Sequence, residues 1–527
     1  MIRRSYWDRI CIIVVGIFLF LLGNGQYTLF DNSETHYSRV AQEMVQTGDY
    51  LSPHFNGQAW HVHPPLYFWL LATHCQVWGW SEFQLRLIEG LCAIGSLLVL
   101  YQIGISFFDR RIALLATLMW ASSLYTIVMA RLAIFDMVLN VGMLLTLYGA
   151  LMALYNPQKS KRYWLLAGIA SGVAVLTKGP IGWLQPALAF FSFLFFKKKG
   201  AILKTINFWL GIATSFLIVV PWYARQLFVY GRPFFDVALK DYTWYRFLGV
   251  VEGQSGAWWY YFPVLLGFFP WIFYIGVVAV DAIAHKRWTF GDTKNEMLVF
   301  SWLFVLASFV FFSVAKTKLP NYILTIFPFL SLIMAHYLLT VRSKRWGHWV
   351  ATCLGPISMT CLWILSYQVF LPHPYSLYRP LASGFLAILM GSTWVYTFFV
   401  WRKKIFVGTA LFVMGVGLSV FFLTHFLLPA IEVGKDVKPI ARALQRISSP
   451  YTLVHYHFFS PYILFYTNHV AVDTTSSDEI KWLKLKQPSQ KLFLISDHDH
   501  LRQLAREGIL YKSLVVTCRL GLVEVMK

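Results

Sequence analysis

Charged residues are scarce in this chain of 527 residues. They make up 13% of it, about half the share of an average soluble protein. So low a share excludes a disordered chain, a charge-laced coiled coil and an ordinary cytosolic enzyme. Acids are scarcest, 24 Asp and Glu against 45 Lys and Arg. Cysteine is also rare: five of the six (Cys11, Cys75, Cys92, Cys353 and Cys361) lie in or beside apolar runs, and Cys518 lies near a polar C-terminus. No pair has the spacing of a zinc site or a disulfide framework. There is no internal repeat to support an inverted-repeat transporter. Arg3, Arg4 and Arg9 precede an apolar run from Ile10 to Leu22. No small-x-small cleavage pattern follows, so this run reads as an uncleaved first span.

Apolar residues fill the space, at 57%, with aromatics at 18%. Long apolar runs lie near 9–25, 84–106, 112–130, 137–155, 163–177, 181–196, 206–224, 259–284, 298–315, 321–341, 348–370, 379–400 and 405–428. A helix needs about 20 such residues to cross a bilayer, so these predict about 13 spans. The net charge of +21 would suggest nucleic acid in a soluble protein. Here it concentrates in alternate connections: Arg110/Arg111, Lys159/Lys161/Arg162, Lys197–Lys199, Lys286/Arg287, Arg342/Lys344/Arg345 and Arg402/Lys403/Lys404. Basic connections mark the cytoplasmic side, which puts the N-terminus inside and the C-terminus outside. Segment 64–80 is apolar enough to cross, but counting it as a span would place Lys197–Lys199 outside. It is expected to be re-entrant or interfacial.

Three regions are therefore expected outside: loops 26–83 and 225–258, and a tail at 430–527. The division predicted is a transmembrane domain over 1–429 and a periplasmic domain over 430–527. Within the first loop, Ser38–Val45 has the spacing of an amphipathic helix on the membrane surface. In the tail, strand-like runs (TLVHY, KLFLIS, SLVVT, LVEVM) alternate with helical patterns (IARALQRI, HLRQLAREG), predicting a small α/β domain. The fold class expected is a mainly α, multi-span bundle carrying that domain.

Ionisable residues at span ends are costly without a partner or a task, and in this chain they gather on the predicted outer face. Asp31 and Glu34 open the first loop; Arg131 and Asp136 lie between the third and fourth spans. Lys178, Arg225, Lys316 and Lys318 end later spans. Cations beside carboxylates suit an anionic substrate. Against this stand plain roles: Asp31 as a helix N-cap, Glu34 as compensation for the helix dipole, the lysines as snorkelling anchors. His61 and His63 are candidate metal ligands. The tail runs His455-x-His457 and Asp497–His500 also resemble ligand sets, although a polar turn with Asp497 capping the next helix accounts for the latter. The aromatics of 242–261 suit interface anchoring or sugar stacking, and Arg246 among them suits phosphate.

Several motifs occur in a fixed order: SETHYSRVAQEMVQTGDY, HPPLYFW, Asp136, Thr177-Lys178-Gly179, Pro221-Trp222-Tyr223, WWYYFPVLLG and FFSVAKTKLPNYIL. Together they resemble the bacterial membrane glycosyltransferases of the GT-C type, most closely the aminoarabinose (lipid A) transferases and more distantly the protein mannosyltransferases. The resemblance implies a helical bundle in the inner membrane that moves a sugar from polyprenyl (undecaprenyl) phosphate to an envelope acceptor: lipid A, a glycan or a protein. It implies that Asp31 or Glu34 and Asp136 serve catalysis, and that Tyr37, His63, Arg131, Lys178, Arg246, Lys316, Lys318 and Tyr322 bind substrate. Relatives carry Asp-Glu-x-Arg-Tyr where this chain has Ser33–Tyr37; Glu34 and Tyr37 match, and Asp31 stands in for the missing acid. Glu-Lys before the Pro-Pro pair is replaced by Val62-His63, and a family His aligns with Gln254. A divalent metal is left open. Two other classes compete: a flippase for lipid-linked sugar, which needs charges distributed through the bilayer, and a non-catalytic scaffold using the tail.

Overall fold

The computed structural model describes residues 2–29, 32–284, 292–340, 346–369, 375–431, 436–486 and 490–526. Asp31 and the basic residues Lys286, Arg287, Arg342, Lys344 and Arg345 lie outside them. The chain divides into two compact units. One comprises Met1–Gln26, His61–Tyr67 and Arg86–Ala430; the other comprises Tyr27–Trp60, Phe68–Leu85 and Ile431–Lys527.

The first unit is a bundle of long apolar helices, and each of the 13 apolar runs of the sequence is helical over most of its described residues. Among the described residues, eight helices are long and apolar enough to cross a membrane by length and composition, ten if each of two bent pairs is one span. The protein is a multi-pass membrane protein. The bent pairs are Arg110–Ala121 with Leu124–Ala130, at 67°, and Tyr261–Phe268 with Trp271–Ala284, at 110°. Helices Asp136–Tyr155 and Ser160–Lys178 form a hairpin joined by a tight turn over Pro157–Lys159. Small residues let them close: a Cβ on Gly149 would stand 2.7 Å from the Tyr163 carbonyl. The helix Ile206–Tyr230 ends at Gly231, whose φ of +56 reverses the chain into a wide helical stretch over Phe235–Tyr245.

The helix over Leu66–Trp78 has 13 residues. At 1.5 Å per residue it is about 20 Å long, short of the ~30 Å hydrocarbon core.

The second unit is built on a five-stranded sheet. A two-stranded ribbon in the first loop, β1 (His54–Phe55) and β2 (Gln58–Ala59), precedes it. The main strands are β3 (Tyr451–Tyr456), β4 (Val472–Thr474), β5 (Lys491–Asp497), β6 (Tyr511–Val516) and β7 (Leu520–Val525), ordered β4-β3-β5-β7-β6. β3 runs parallel to β4 and β5, while β7 runs antiparallel to β5 and β6. Alternation divides the strand residues between two cores. Helices Ser477–Lys486 and His498–Arg506 cover one face through Ile480, Leu483, Leu501 and Leu504; helices Val437–Gln445 and Pro461–Thr467 cover the other through Ile440, Leu444 and Ile463. Asp497 caps its helix by accepting the His500 amide at 2.9 Å.

The helix Asn32–Thr47 departs from expectation. The predicted membrane-surface helix packs instead on Pro461–Thr467. Val40, Ala41 and Met44 are fully buried, and so nearly are Arg39 and Glu43. Arg39 donates to Glu43 at 2.8 Å and to Asn468 at 3.0 Å, while the Glu43 carboxylate accepts the amides of Asn56 and Gly57 in the ribbon turn. An ionic network of this kind requires protein on both sides.

Candidate active site

Asp136 opens the helix Asp136–Tyr155, and Lys178 closes the helix Ser160–Lys178. The hairpin turn between them makes these two ends neighbours. Lys178 donates to Asp136 Oδ1 at 2.5 Å, and Asn321 donates to Oδ2 at 2.8 Å. Both charged side chains are almost out of solvent, at 10% and 3% exposure, so the pair is held in a medium that strengthens it. Glu89 accepts the Met137 amide at 2.7 Å, satisfying a free donor at the helix start beside Asp136. The Lys178 helix ends because Gly179 takes a φ of +89, a conformation that favours glycine.

Arg246 comes from the aromatic loop. It donates to Tyr322 at 3.0 Å and to Glu252 at 3.1 Å, and its guanidinium stacks 4.6 Å from the Tyr242 ring centre. Tyr242 donates to the other Glu252 oxygen at 2.5 Å. Burial, then this bond to a carboxylate, pushes the Tyr242 phenol up to about 12. The loop is laced to the segment before Pro320: the Lys316 and Thr317 amides donate to the Phe247 and Arg246 carbonyls, and the Lys318 amide to Gln254. The KTKLPNY motif and the aromatic loop are thus one hydrogen-bonded piece.

These residues line one cavity of about 1120 Å³, counted to its open mouth, together with His61 and His63. Its polar corner is Asp136, Lys178, Asn321, Tyr322 and Arg246. The rest is mainly apolar, with Leu139, Ile181, Leu184, Phe247, Phe311 and Leu324 on its walls and Gln185, Thr243 and Thr325 among them. The His61 ring packs on Tyr230 and Phe234, the His63 ring on Phe135 and Tyr242. Among the described residues no group of three or more His, Cys, Asp or Glu side chains is arranged to hold a metal.

Other predicted residues lie elsewhere. Lys318 is buried, and its ammonium donates to the carbonyls of Phe312, Ser313 and Ala315. It caps the end of the helix Thr293–Val314 rather than facing the cavity. Arg131 likewise donates to the Leu19 and Leu22 carbonyls at 2.9 and 2.7 Å, where the first span ends. Lys316 is exposed and does not line the cavity. Glu34 and Tyr37 belong to the second unit: Glu34 is fully buried there, and Tyr37 packs against Trp60 and Phe68. Asn321 and Glu252 were missed. The signal for Asn321 was its place inside KTKLPNY; for Glu252 it was the single acid within the aromatic stretch 242–261.

A family model described as dolichyl-phosphate-mannose-protein mannosyltransferase matches residues 62–224, the stretch that carries His63, Asp136 and Lys178. A solved structure of ArnT from Cupriavidus metallidurans bound to undecaprenyl phosphate superposes with a TM-score of 0.84 at 20% identity, covering 98% of this chain and 97% of that one. The chain shares that fold, the GT-C fold that its sequence motifs imply. The oligosaccharyltransferase of Archaeoglobus fulgidus shares the GT-C fold more distantly, with a TM-score of 0.54 at 11% identity over 93% of this chain and 69% of that one. In sequence the chain resembles the undecaprenyl phosphate-alpha-4-amino-4-deoxy-L-arabinose arabinosyl transferases. It is 26% identical to that of Shewanella sediminis over 82% of this chain and 78% of the relative. It is 28% identical to that of Pseudomonas aeruginosa over 67% and 62%.

Proposed function

We propose that this protein transfers a sugar from undecaprenyl phosphate to lipid A on the outer face of the bacterial inner membrane. One observation carries the reading: the Lys178–Asp136–Asn321 cluster and Arg246 occupy one corner of a cavity whose other walls are mainly apolar. A phosphate attached to a prenyl tail needs both halves. The similarity to arabinosyl transferases that use undecaprenyl phosphate supports the same donor.

In the reaction the acceptor oxygen attacks the anomeric carbon, and the bond from that carbon to the phosphate oxygen breaks. Polyprenyl phosphate leaves with one more negative charge. Arg246 offers a planar fork of donors to that charge and Lys178 a point charge; His63 adds a ring nitrogen at the mouth. A phosphate acceptor on lipid A is already ionised near neutral pH, so no base is required; Asp136 then orients Lys178. With a hydroxyl acceptor, Asp136 takes the proton. Asp31 and Glu34 are assigned to the acceptor side on the strength of the first-loop motif alone.

Alternating basic connections support a cytoplasmic N-terminus and a periplasmic domain over 430–527. A flippase requires charges along the whole path, whereas the site's charges sit at one end of the bundle's helices.

Mass spectrometry of lipid A and total envelope glycans from a strain lacking the protein tests the proposal. A missing pentosamine or hexose increment is expected on lipid A, restored by the wild-type chain and not by Asp136→Asn. An unchanged envelope overturns it.

A further inference from the structure

A second cavity lies in the sheet unit, at the carboxyl ends of the parallel strands β3 and β4. Its position follows from topology. The chain leaves β3 into Pro461–Thr467 on one face of the sheet and leaves β4 into Ser477–Lys486 on the other. Adjacent strands whose following helices part to opposite faces leave a crevice at their carboxyl ends; the switch point of this sheet, where its strand order reverses, is the neighbouring β3–β5 pair. The crevice here is about 760 Å³, counted to its mouth, and is lined among others by His455, His457, Phe459, Asp473 and Glu479.

The buried polar group in this wall is His455, which is fully buried. It faces Asp473 directly across the β3–β4 pairing, with Nδ1 2.9 Å from Asp473 Oδ1. An ionised carboxylate only accepts, so Nδ1 carries a hydrogen and turns Nε2 away from Asp473. Nε2 is buried and has no hydrogen-bond partner, which a core rarely tolerates without a ligand or water. Two carboxylates share the crevice with the hydroxyls of Thr474, Thr475 and Ser476. The Glu479 carboxylate takes the Thr474 hydroxyl at 2.5 Å and keeps further lone pairs, and Asp473 is 40% exposed. Phe459 is half exposed beside them, its ring edge-on to Phe55 of the β1–β2 ribbon. The Asn56 side chain ties that ribbon to β4, accepting the Ala471 amide and donating to the Ala471 carbonyl, each at 2.9 Å.

We infer that this crevice is a binding site for a neutral or amino sugar, separate from the membrane cavity. Sugar hydroxyls, donor and acceptor in one group, pair with Nε2 of His455 and donate to the remaining lone pairs of Glu479 and Asp473. Phe459 offers a flat apolar face to the C–H side of a pyranose. Two carboxylates repel a phosphate or a uronate and favour an ammonium. The site does not depend on the transfer reaction, and it gives the sheet unit a task of its own: holding a glycan near the enzyme.

The test is saturation-transfer NMR on the full chain in lipid nanodiscs, with glucosamine, glucose and glucuronate each at millimolar concentration. Glucosamine and glucose are expected to give signals, glucosamine the stronger, and glucuronate little. Glu479→Gln, an exposed change, is expected to weaken glucosamine at least fivefold without moving the melting temperature. Asp473→Asn, if it folds, is expected to weaken both sugars by freeing the His455 ring. Lys178→Met, in the membrane cavity, leaves these signals in place. The inference is overturned if no sugar binds the wild-type chain, if glucuronate binds best, or if the signals survive Glu479→Gln and vanish in Lys178→Met.

Discussion

The ammonium of Lys178 lies 2.5 Å from the carboxylate of Asp136, joining the last residue of one helix of the bundle to the first residue of the helix before it. Removing either partner leaves a buried charge alone, which typically costs about 3–5 kcal/mol. Lys178→Met is therefore expected to lower the melting temperature more than the double variant Asp136→Asn/Lys178→Met, in which no lone charge remains. Transfer should fall at least 100-fold in both variants, read from sugar release in vesicles carrying the lipid donor. Equal melting temperatures for the single and double variants would show that the pair is not energetically coupled.

In the proposed reaction Glu252, which already holds Arg246 at 3.1 Å, competes with the leaving phosphate for the guanidinium. Glu252→Gln is expected to tighten undecaprenyl phosphate binding several-fold, and Arg246→Ala to weaken it about 10-fold or more. Arg246→Lys should recover only part, since an ammonium lacks the planar fork. Titration of the lipid against purified protein reads all three, and unchanged affinity in Arg246→Ala would remove this residue from the phosphate site.

Lys318 closes a helix end through three carbonyls. Lys318→Met is expected to cost about 1–3 kcal/mol of stability while leaving the donor's KM within about threefold below the melting transition. A selective rise in KM at unchanged stability would place Lys318 at the substrate after all.

Burial lowers the His36 pKa to about 4, against about 6.5 in an unfolded chain. The folded ring resists protonation, so its contribution is fully present above about pH 6.5 and is lost as pH falls toward 4. The loss reaches roughly 3 kcal/mol. Hydrogen exchange in the helix Asn32–Thr47 should accelerate over that window. His36→Phe, which can keep the 3.7 Å stack on Phe55, should remove the acid sensitivity.

Much of the helical layout was legible because hydropathy and length are local properties. Asp136, Lys178 and Arg246 were legible as charges at apolar run ends or in an aromatic loop. The same signal also selected Arg131 and Lys318, because a side chain capping a helix and one facing a cavity both sit at helix ends. Only the tertiary position of the carbonyls separates them. Asn321 carries no charge and gave no such signal. The apolar stripe of the helix Asn32–Thr47 was assigned to the bilayer because periodicity says that a surface is covered, not by what. The β4 strand, three residues long, is too short for any pattern to reveal it.

The hairpin that presents Asp136 and Lys178 also acts as a ruler. Its arms of 20 and 19 residues rise about 30 Å, close to the thickness of bilayer hydrocarbon. One inserted residue in either arm would turn the terminal side chain by about 100° and shift it by about 1.5 Å, uncoupling acid from base. Lipid-facing substitutions along the arms should therefore be tolerated where a single-residue insertion or deletion is not.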